Sequence, residues 1–300
     1  MNTAVVGDAT LAPPSPAREF ATAFAANRGA LVAFGVFALI LLAALLAPWI
    51  SPHDPVLQFR DHMLVPPAWQ DGGSLTFVLG TDELGRDILS RLLWGARISL
   101  AIGASSVLLA LLPGVLLGLA AAFGARWLSA TILRLMDVLL ALPGLLLAIG
   151  VITILGPGLA NTAIAIAVGA LPGYARLARA SAQTELAKDY VTASRVAGAG
   201  TLRLALRAVL PNCAAPLIVN ATLGFSSAVL ETAALGFLGL GVQAPTPEWG
   251  SMLSAARDYI ERAPWVVTMP GIAILVSVLS INLMGDGLRD ALDPKLRQAA

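Results

Sequence analysis

The stretch Glu185–Asn212, ELAKDYVTASRVAGAGTLRLALRAVLPN, decides how the rest of the chain is read. It is the longest charge-rich run between two apolar spans, carrying Glu185, Lys188, Asp189, Arg195, Arg203 and Arg207. Helical spacing puts Leu186, Tyr190, Ala193/Ser194 and Ala197 on one face, with Glu185, Lys188, Asp189, Thr192 and Arg195 around the remainder. Gly198 and Gly200 break the pattern, because glycine enters the left-handed region common at helix ends without a steric penalty. A second amphipathic segment, Leu202 to Leu210, carries Arg203 and Arg207 four apart. Pro211 has no amide hydrogen and a ring that collides with the preceding turn, so it is expected to stop that segment. The expectation is two short helices hinged at glycine between membrane spans, a bracket able to pass a push from a soluble partner into the membrane. The plainer alternative is a solvated loop whose charges only fix topology.

Working outward, composition places the whole chain in a membrane. Hydrophobic residues make up 57% and charged residues 12%, with a mean hydropathy of +0.80, outside the balance of soluble domains. The net charge of +1 and the lack of a basic cluster away from the membrane-flanking loops give no reason to expect nucleic acid. A single cysteine, Cys213, excludes an internal disulfide framework and is read as packing at the start of an apolar span.

Six spans are expected, making the fold an all-α polytopic membrane protein. Residues 1–28 form a polar, proline-containing tail. Gly29 to Ile50 is uncharged and long enough for the about 20 residues a crossing helix needs, and too long for a cleaved signal segment. Residues 51–97 begin as a Pro- and Gly-rich loop and end in Gly80–Arg97, GTDELGRDILSRLLWGAR. There Ile88, Leu89, Leu92, Leu93 and Ala96 share a face opposite Asp87, Ser90, Arg91 and Arg97, which predicts an amphipathic surface helix leading into the second span. The Asp82, Glu83, Asp87 cluster lacks calcium-loop spacing and is read as a solvated helix start.

The second span, Ile98 to Gly124, contains Pro113 and a Gly114-x-x-x-Gly118 packing face. The third runs from about Leu135 to Leu155, with Asp137 expected to pair with Arg134, and the fourth from about Leu159 to Ala175, with Gly169-x-x-x-Gly173. The fifth begins near Cys213 and ends near Leu240; Glu231 is its only charge, a functional suspect by its depth. Pro245, Pro247 and Trp249 are placed at the outer interface, 250–264 as a short surface helix, and Trp265 to Gly285 as the sixth span. With the N-terminus inside, Arg60, Arg86, Arg91, Arg97, Arg257 and Arg262 lie outside, leaving thirteen of the 19 Lys and Arg inside. The positive-inside bias therefore makes both termini and the 185–212 loop cytoplasmic, with the acidic neighbours of Arg86 and Arg91 softening the exceptions.

Four stretches carry a resemblance. Thr192-Ala193-Ser194, three residues, Gly198, nine residues and Ala208-Val209-Leu210-Pro211 are similar to the coupling loop of ABC importer membrane subunits. Thr192 stands where that loop usually has an acid, Ser194 where it has a second alanine, and Ala208 where it has isoleucine. The string Gly80–Arg97, the segment ETAALGFLGLGVQAPTPEWGSML from Glu231 and the tail GDGLRDALDPKLR, Gly285 to Arg297, resemble C-type permeases of dipeptide, oligopeptide and nickel importers. The resemblance covers about Leu79 to Arg297 and implies a type I ABC importer transmembrane domain over 97–286, with its coupling loop at 181–211. It assigns coupling to an ATPase to Glu185, Tyr190, Thr192, Ala193, Ser194, Arg195, Gly198, Ala199, Leu210 and Pro211. It also implies a homologous second permease, one or two cytoplasmic ATP-binding subunits holding ATP and Mg, an outer substrate-binding protein and a bacterial inner-membrane location. Residues 287–300 become a cytoplasmic tail, and 29–96 the first helix and outer region.

No phosphate-binding G-x-x-x-x-G-K-[ST], H-E-x-x-H or G-x-S-x-G occurs, so neither ATP hydrolysis by that loop nor a catalytic or metal site is expected on this chain. The only histidines are His53 and His62, on the outer loop, an unpaired couple that could serve nickel only with a partner. The competing classes are a proton-coupled transporter relaying through Asp137 and Glu231, which would be expected to show internal repeats, and a membrane enzyme needing a polar cluster that the spans lack. Cargo choice among dipeptide, oligopeptide, a glutathione-like peptide and nickel is left open by the sequence.

Overall fold

The computed structural model describes residues 16–292 of the 300. It is a helical bundle: α1 Pro16–Ala26, α2 Arg28–Ile50, α3 Ile88–Phe123, α4 Arg126–Leu140, α5 Gly144–Leu155 and α6 Leu159–Leu186 come first. Then follow α7 Asp189–Val196, α8 Thr201–Arg203, a π-helical turn Leu204–Val209, α9 Leu210–Asn212, α10 Ala214–Phe237, α11 Trp249–Ala255 and α12 Pro264–Leu292. Among the described residues no strand forms; Ser74–Phe77 and Thr81–Asp87 make isolated bridges only.

Four helices, α2, α3, α10 and α12, are long and apolar enough to cross a membrane, and the bent pair α4/α5 makes a fifth. α6 is 28 residues long, but its second half carries Arg176, Arg179 and Glu185, so its apolar part is short. The third span differs from a straight helix: α4 and α5 meet at 91° around Ala141–Pro143. Proline disfavours helical geometry in the residue before it, which accounts for a break at this place.

The tightest seam lies between α3 and α6, where the predicted glycine spacing holds. A Cβ on Gly114 would come within 2.7 Å of Tyr174 Cβ, and one on Gly118 within 2.5 Å of the Ala175 carbonyl oxygen. Glycine at both positions lets the two backbones approach. The second spacing does not work this way within the chain: a Cβ on Gly169 would make ordinary contact with Gly144, and one on Gly173 would meet nothing.

Two stretches read as loops are ordered. Residues 16–26 of the expected tail form α1, whose Phe24 rings with Phe20 and Phe34, and Asn27 caps α2 and reaches Asp290 on α12. α12 runs on to Leu292, past the expected end at Gly285, and Gly287 packs against Ala30. Residues 1–15 and 293–300, including Lys295 and Arg297, lie outside the described residues.

The end of the bundle opposite α7 departs most from the sequence reading. Residues 88–97 are no separate surface helix but the first turns of the 36-residue α3. Much of the polar side here faces inward: Asp82, Arg86, Asp87, Ser90 and Arg91 are buried, while Arg97 stays exposed. Arg86 Nε sits 2.6 Å from Asp82 Oδ2 and its Nη2 2.9 Å from Glu83 Oε1, while Arg91 Nη1 donates to the Pro55 carbonyl at 3.0 Å. Asp87 does cap the helix start as expected, accepting from the Ser90 amide, but it is 1% exposed, not solvated. Trp249, expected at the headgroup level, is also buried, donating its indole N–H to the Leu92 carbonyl against Gly95. Each of these buried residues finds at least one partner in the fold, although Asp87 Oδ1 and Glu83 Oε2 accept no hydrogen bond among the described residues.

Candidate functional site

α7 stands on a compact base. Lys188, extended at φ −84° and ψ 149°, separates it from the end of α6 and resets the helical phase. For that reason Leu186 does not share a face with Tyr190, Ala193 and Ala197, which are exposed, and the inward side chain of α7 is Val191, wholly buried among Leu204, Val209, Cys213 and Leu217. Beside it Tyr190 Oη donates to Glu185 Oε2 and Lys188 Nζ to Glu185 Oε1, both at 2.7 Å. Burial pushes the Glu185 carboxyl up, but the hydrogen bonds from Lys188 and Tyr190 and the Lys188 charge outweigh it and hold the group below its ordinary value. Burial, then the bond to Glu185, pushes the Tyr190 phenol up to about 12. Glu185, Lys188 and Tyr190 therefore form one unit that fixes the root of α7.

The outward side of α7 carries Thr192, Ala193, Arg195 and Val196, the last 85% exposed, with Ser194 half-buried. The helix ends as the spacing foretold at Gly198, in the left-handed region at φ +87°. Gly198 N donates to Arg195 O at 2.9 Å and Ala199 N to Ser194 O at 3.0 Å, the paired bonds of a glycine-terminated helix. A Cβ on Gly198 would meet nothing, so only the backbone requires glycine. Gly200 is different: its φ of −70° suits any residue, so one hinge glycine stands where two were expected. Ala199 packs partly against the Val191 cluster.

Pro211 does not stop the second segment. α8, the π turn, α9 and α10 follow one another from Thr201 to Phe237 with one turn residue, Cys213, among them. The Leu210 amide reaches five residues back to Ala205, and this wider turn leaves room for the proline ring without ending the helix. Leu210 and Pro211 line an apolar groove of about 780 Å³ with Leu206 and Phe225.

The two intramembrane acids part company. Asp137 pairs with Arg176 of α6, not with Arg134, and both partners are about half exposed. Glu231 is half-buried on α10 and borders a cavity of about 180 Å³ with Tyr174, Ser106 and Asn220. The structure thus unites Glu185, Tyr190 and Gly198 at one end and leaves Asp137 and Glu231 in separate places. Sequence reasoning missed Val191 as the anchor, Lys188 as the third member of the base, and Tyr174 beside Glu231. Val191 lies off the face that an unbroken helix predicts, and only the break at Lys188 brings it inward. Among the described residues no group of three or more His, Cys, Asp or Glu is placed to hold a metal.

Comparison with known proteins matches residues 114–298 to the family described as binding-protein-dependent transport system inner membrane component. Residues 15–67 match the N-terminal TM domain of oligopeptide transport permease C. A di/tripeptide transport system permease protein of Pseudomonas aeruginosa is 64% identical over 300 residues, covering 100% of this chain and 99% of that protein. The dipeptide transport system permease protein of Haemophilus influenzae is 53% identical, covering 96% and 98%. Its counterpart in Escherichia coli K12 is 54% identical, covering 95% of each. Among solved structures, a chain of the inward-facing MetNI methionine ABC transporter aligns with a TM-score of 0.57 at 21% identity, covering 68% of this chain and 97% of that one. That likeness shows the fold, a type I ABC importer transmembrane domain.

Proposed function

The chain belongs to the family of binding-protein-dependent transport system inner membrane components, and from that membership we propose that it imports short peptides as one of two permeases in an ATP-driven complex. It is a membrane subunit of an ABC importer and is not itself catalytic. Peptide cargo is supported by the names of relatives at 53–64% identity that align along nearly all of this chain.

The observation that carries the mechanism is α7: a short helix with an outward face of Thr192, Ala193, Arg195 and Val196, rooted by Val191 and the Glu185–Lys188–Tyr190 unit. That face docks on a cytoplasmic ATPase, which holds the ATP and Mg. Closure of the ATPase pair moves α7, and the continuous run from α8 into α10 carries the movement into the membrane. The second ATPase half engages a homologous permease, and an outer binding protein delivers cargo to the opening between the two permeases. The charge bias of the loops supports both termini and α7 being cytoplasmic.

Proteoliposomes containing this chain, a homologous permease, the ATPase and a peptide-loaded binding protein test this. Dialanine uptake should require ATP, resist collapse of the proton gradient and vanish when the second permease is left out. Uptake driven by a proton gradient without ATP, or full activity with this chain as the only permease, would overturn it.

A further inference from the structure

On α10, Pro216, Asn220, Gly224, Ser227 and Glu231 follow at steps of four, four, three and four residues, so they share one side of the helix. This side is a polar or small-residue stripe in an otherwise apolar span. Its far part borders the 180 Å³ cavity between α3, α6 and α10; its near part borders a cavity of about 620 Å³ at the α7 end, which also meets Glu185 and Arg289. Asn220 is a wall of both.

The smaller cavity holds two polar groups without partners. Tyr174 is 2% exposed, and its buried hydroxyl has no hydrogen-bond partner among the described residues. The hydroxyl lies directly over Gly224, where a methyl group would collide with it. Glu231 likewise makes no hydrogen bond or ion pair among the described residues. A hydroxyl and a carboxylate left unpaired inside a membrane protein are costly, and a cation with several donors would satisfy both. The cavity is small beside the roughly 300–1,000 Å³ of sites that bury a whole small ligand. It suits one end of a cargo and not all of it.

Resting on the peptide-permease reading, we infer that this cavity receives the α-ammonium group of the peptide. Glu231 supplies the opposite charge and Tyr174 a second acceptor, and the α10 stripe leads from there to the cavity at the α7 end. Tyr174 and Glu231 are then specificity residues of the membrane step, separate from whatever the outer binding protein selects.

The test uses the assembled complex in proteoliposomes, with the binding protein saturated by dialanine or by its N-acetyl form, and reads uptake per ATP hydrolysed. Glu231→Gln should lower dialanine uptake per ATP by about tenfold, the range expected for losing a charge-assisted hydrogen bond. Glu231→Asp should keep most of it, Tyr174→Phe should lose a few-fold, and N-acetyl-dialanine should change less than twofold in each. Equal losses for both cargoes, losses that follow ATP hydrolysis in proportion, or no loss in Glu231→Gln would overturn the assignment. If the wild-type complex fails to carry dialanine at all, the peptide reading itself falls, which is a distinguishable result.

Discussion

The two ends of the bundle use charge in opposite ways. At the α11 end, Asp82, Arg86, Asp87 and Arg91 are buried and bonded to one another or to the loop that covers them, and Glu248 caps α11 from a buried position beside Ser99. At the α7 end, Thr192, Arg195 and Arg203 are exposed, and the side chains that turn inward are apolar ones such as Val191, Leu204 and Val209, with Glu185 beside them. In sequence the two stretches look alike, each a charged run beside an apolar span. The difference is whether partners arrive from distant parts of the chain. Pro55, Thr81 and Trp265 close over the first, whereas α7 is left with a face to offer. One end is bonded into a fixed shape, and the other keeps an exposed face.

That contrast can be broken from either side. The largest effect on stability belongs to Asp82→Ala, which takes from the buried Arg86 and Arg91 the carboxylate they share and leaves Arg86 with Glu83 alone. It should cost about 3–5 kcal/mol, read as a lowered thermal midpoint of the purified complex, while leaving the α7 surface intact. A midpoint unchanged from wild type would mean that the buried network is not what holds this end. Gly198→Val should cost about 1–3 kcal/mol locally by forcing a β-branched residue to φ +87°. The complex should still insert, but substrate-stimulated ATP hydrolysis and uptake should uncouple; normal coupling would remove the hinge from the mechanism.

Tyr190→Phe sharpens the comparison within α7 itself. It removes one hydrogen bond to Glu185, about 1 kcal/mol, and should speed hydrogen exchange of α7 amides with little change at the other end. Because the Glu185 carboxyl is held below its ordinary value, its contribution is present above the unfolded value of about 4.3 and is lost as pH falls through the lower folded one. Wild-type α7 protection should therefore fall on acidification below about pH 4, and the Phe variant should show a shallower fall. The smallest effect is expected at the exposed Asp137–Arg176 pair. Asp137→Asn should change stability by about 0–1 kcal/mol and leave uptake unaltered, where a proton relay would require a large loss.

Much of this architecture was legible in the residues. The apolar runs marked α2, α10 and α12 to within a few residues at most ends, and Gly198 marked the end of α7, because length and backbone freedom are local properties. Gly114 and Gly118 were legible for the same reason. Orientation was less so. Arg91 reads as a surface charge until the Pro55 carbonyl, 36 residues earlier, is found bonded to it. Trp249 reads as an interfacial ring until Gly95 makes space for it. Pro211 reads as a stop because the wider turn that accommodates it leaves no mark in composition. At the cavity between α3, α6 and α10, Glu231 stood out as a lone charge, but nothing in the order of residues brings Tyr174 beside it.

The π turn at Leu204–Val209 also sets an angle. Each residue of an α-helix advances the side chains by about 100°, and a wide turn holds one residue more than its α-helical equivalent. Between the root of α7 and Glu231, that surplus residue rotates everything downstream by roughly a quarter turn. The azimuth of the α10 stripe, and so which wall of the bundle it faces, is therefore written in a six-residue segment more than twenty positions away from Glu231. Were Leu204–Val209 to tighten into an ordinary helix, α10 would turn about its own axis without any of its side chains changing.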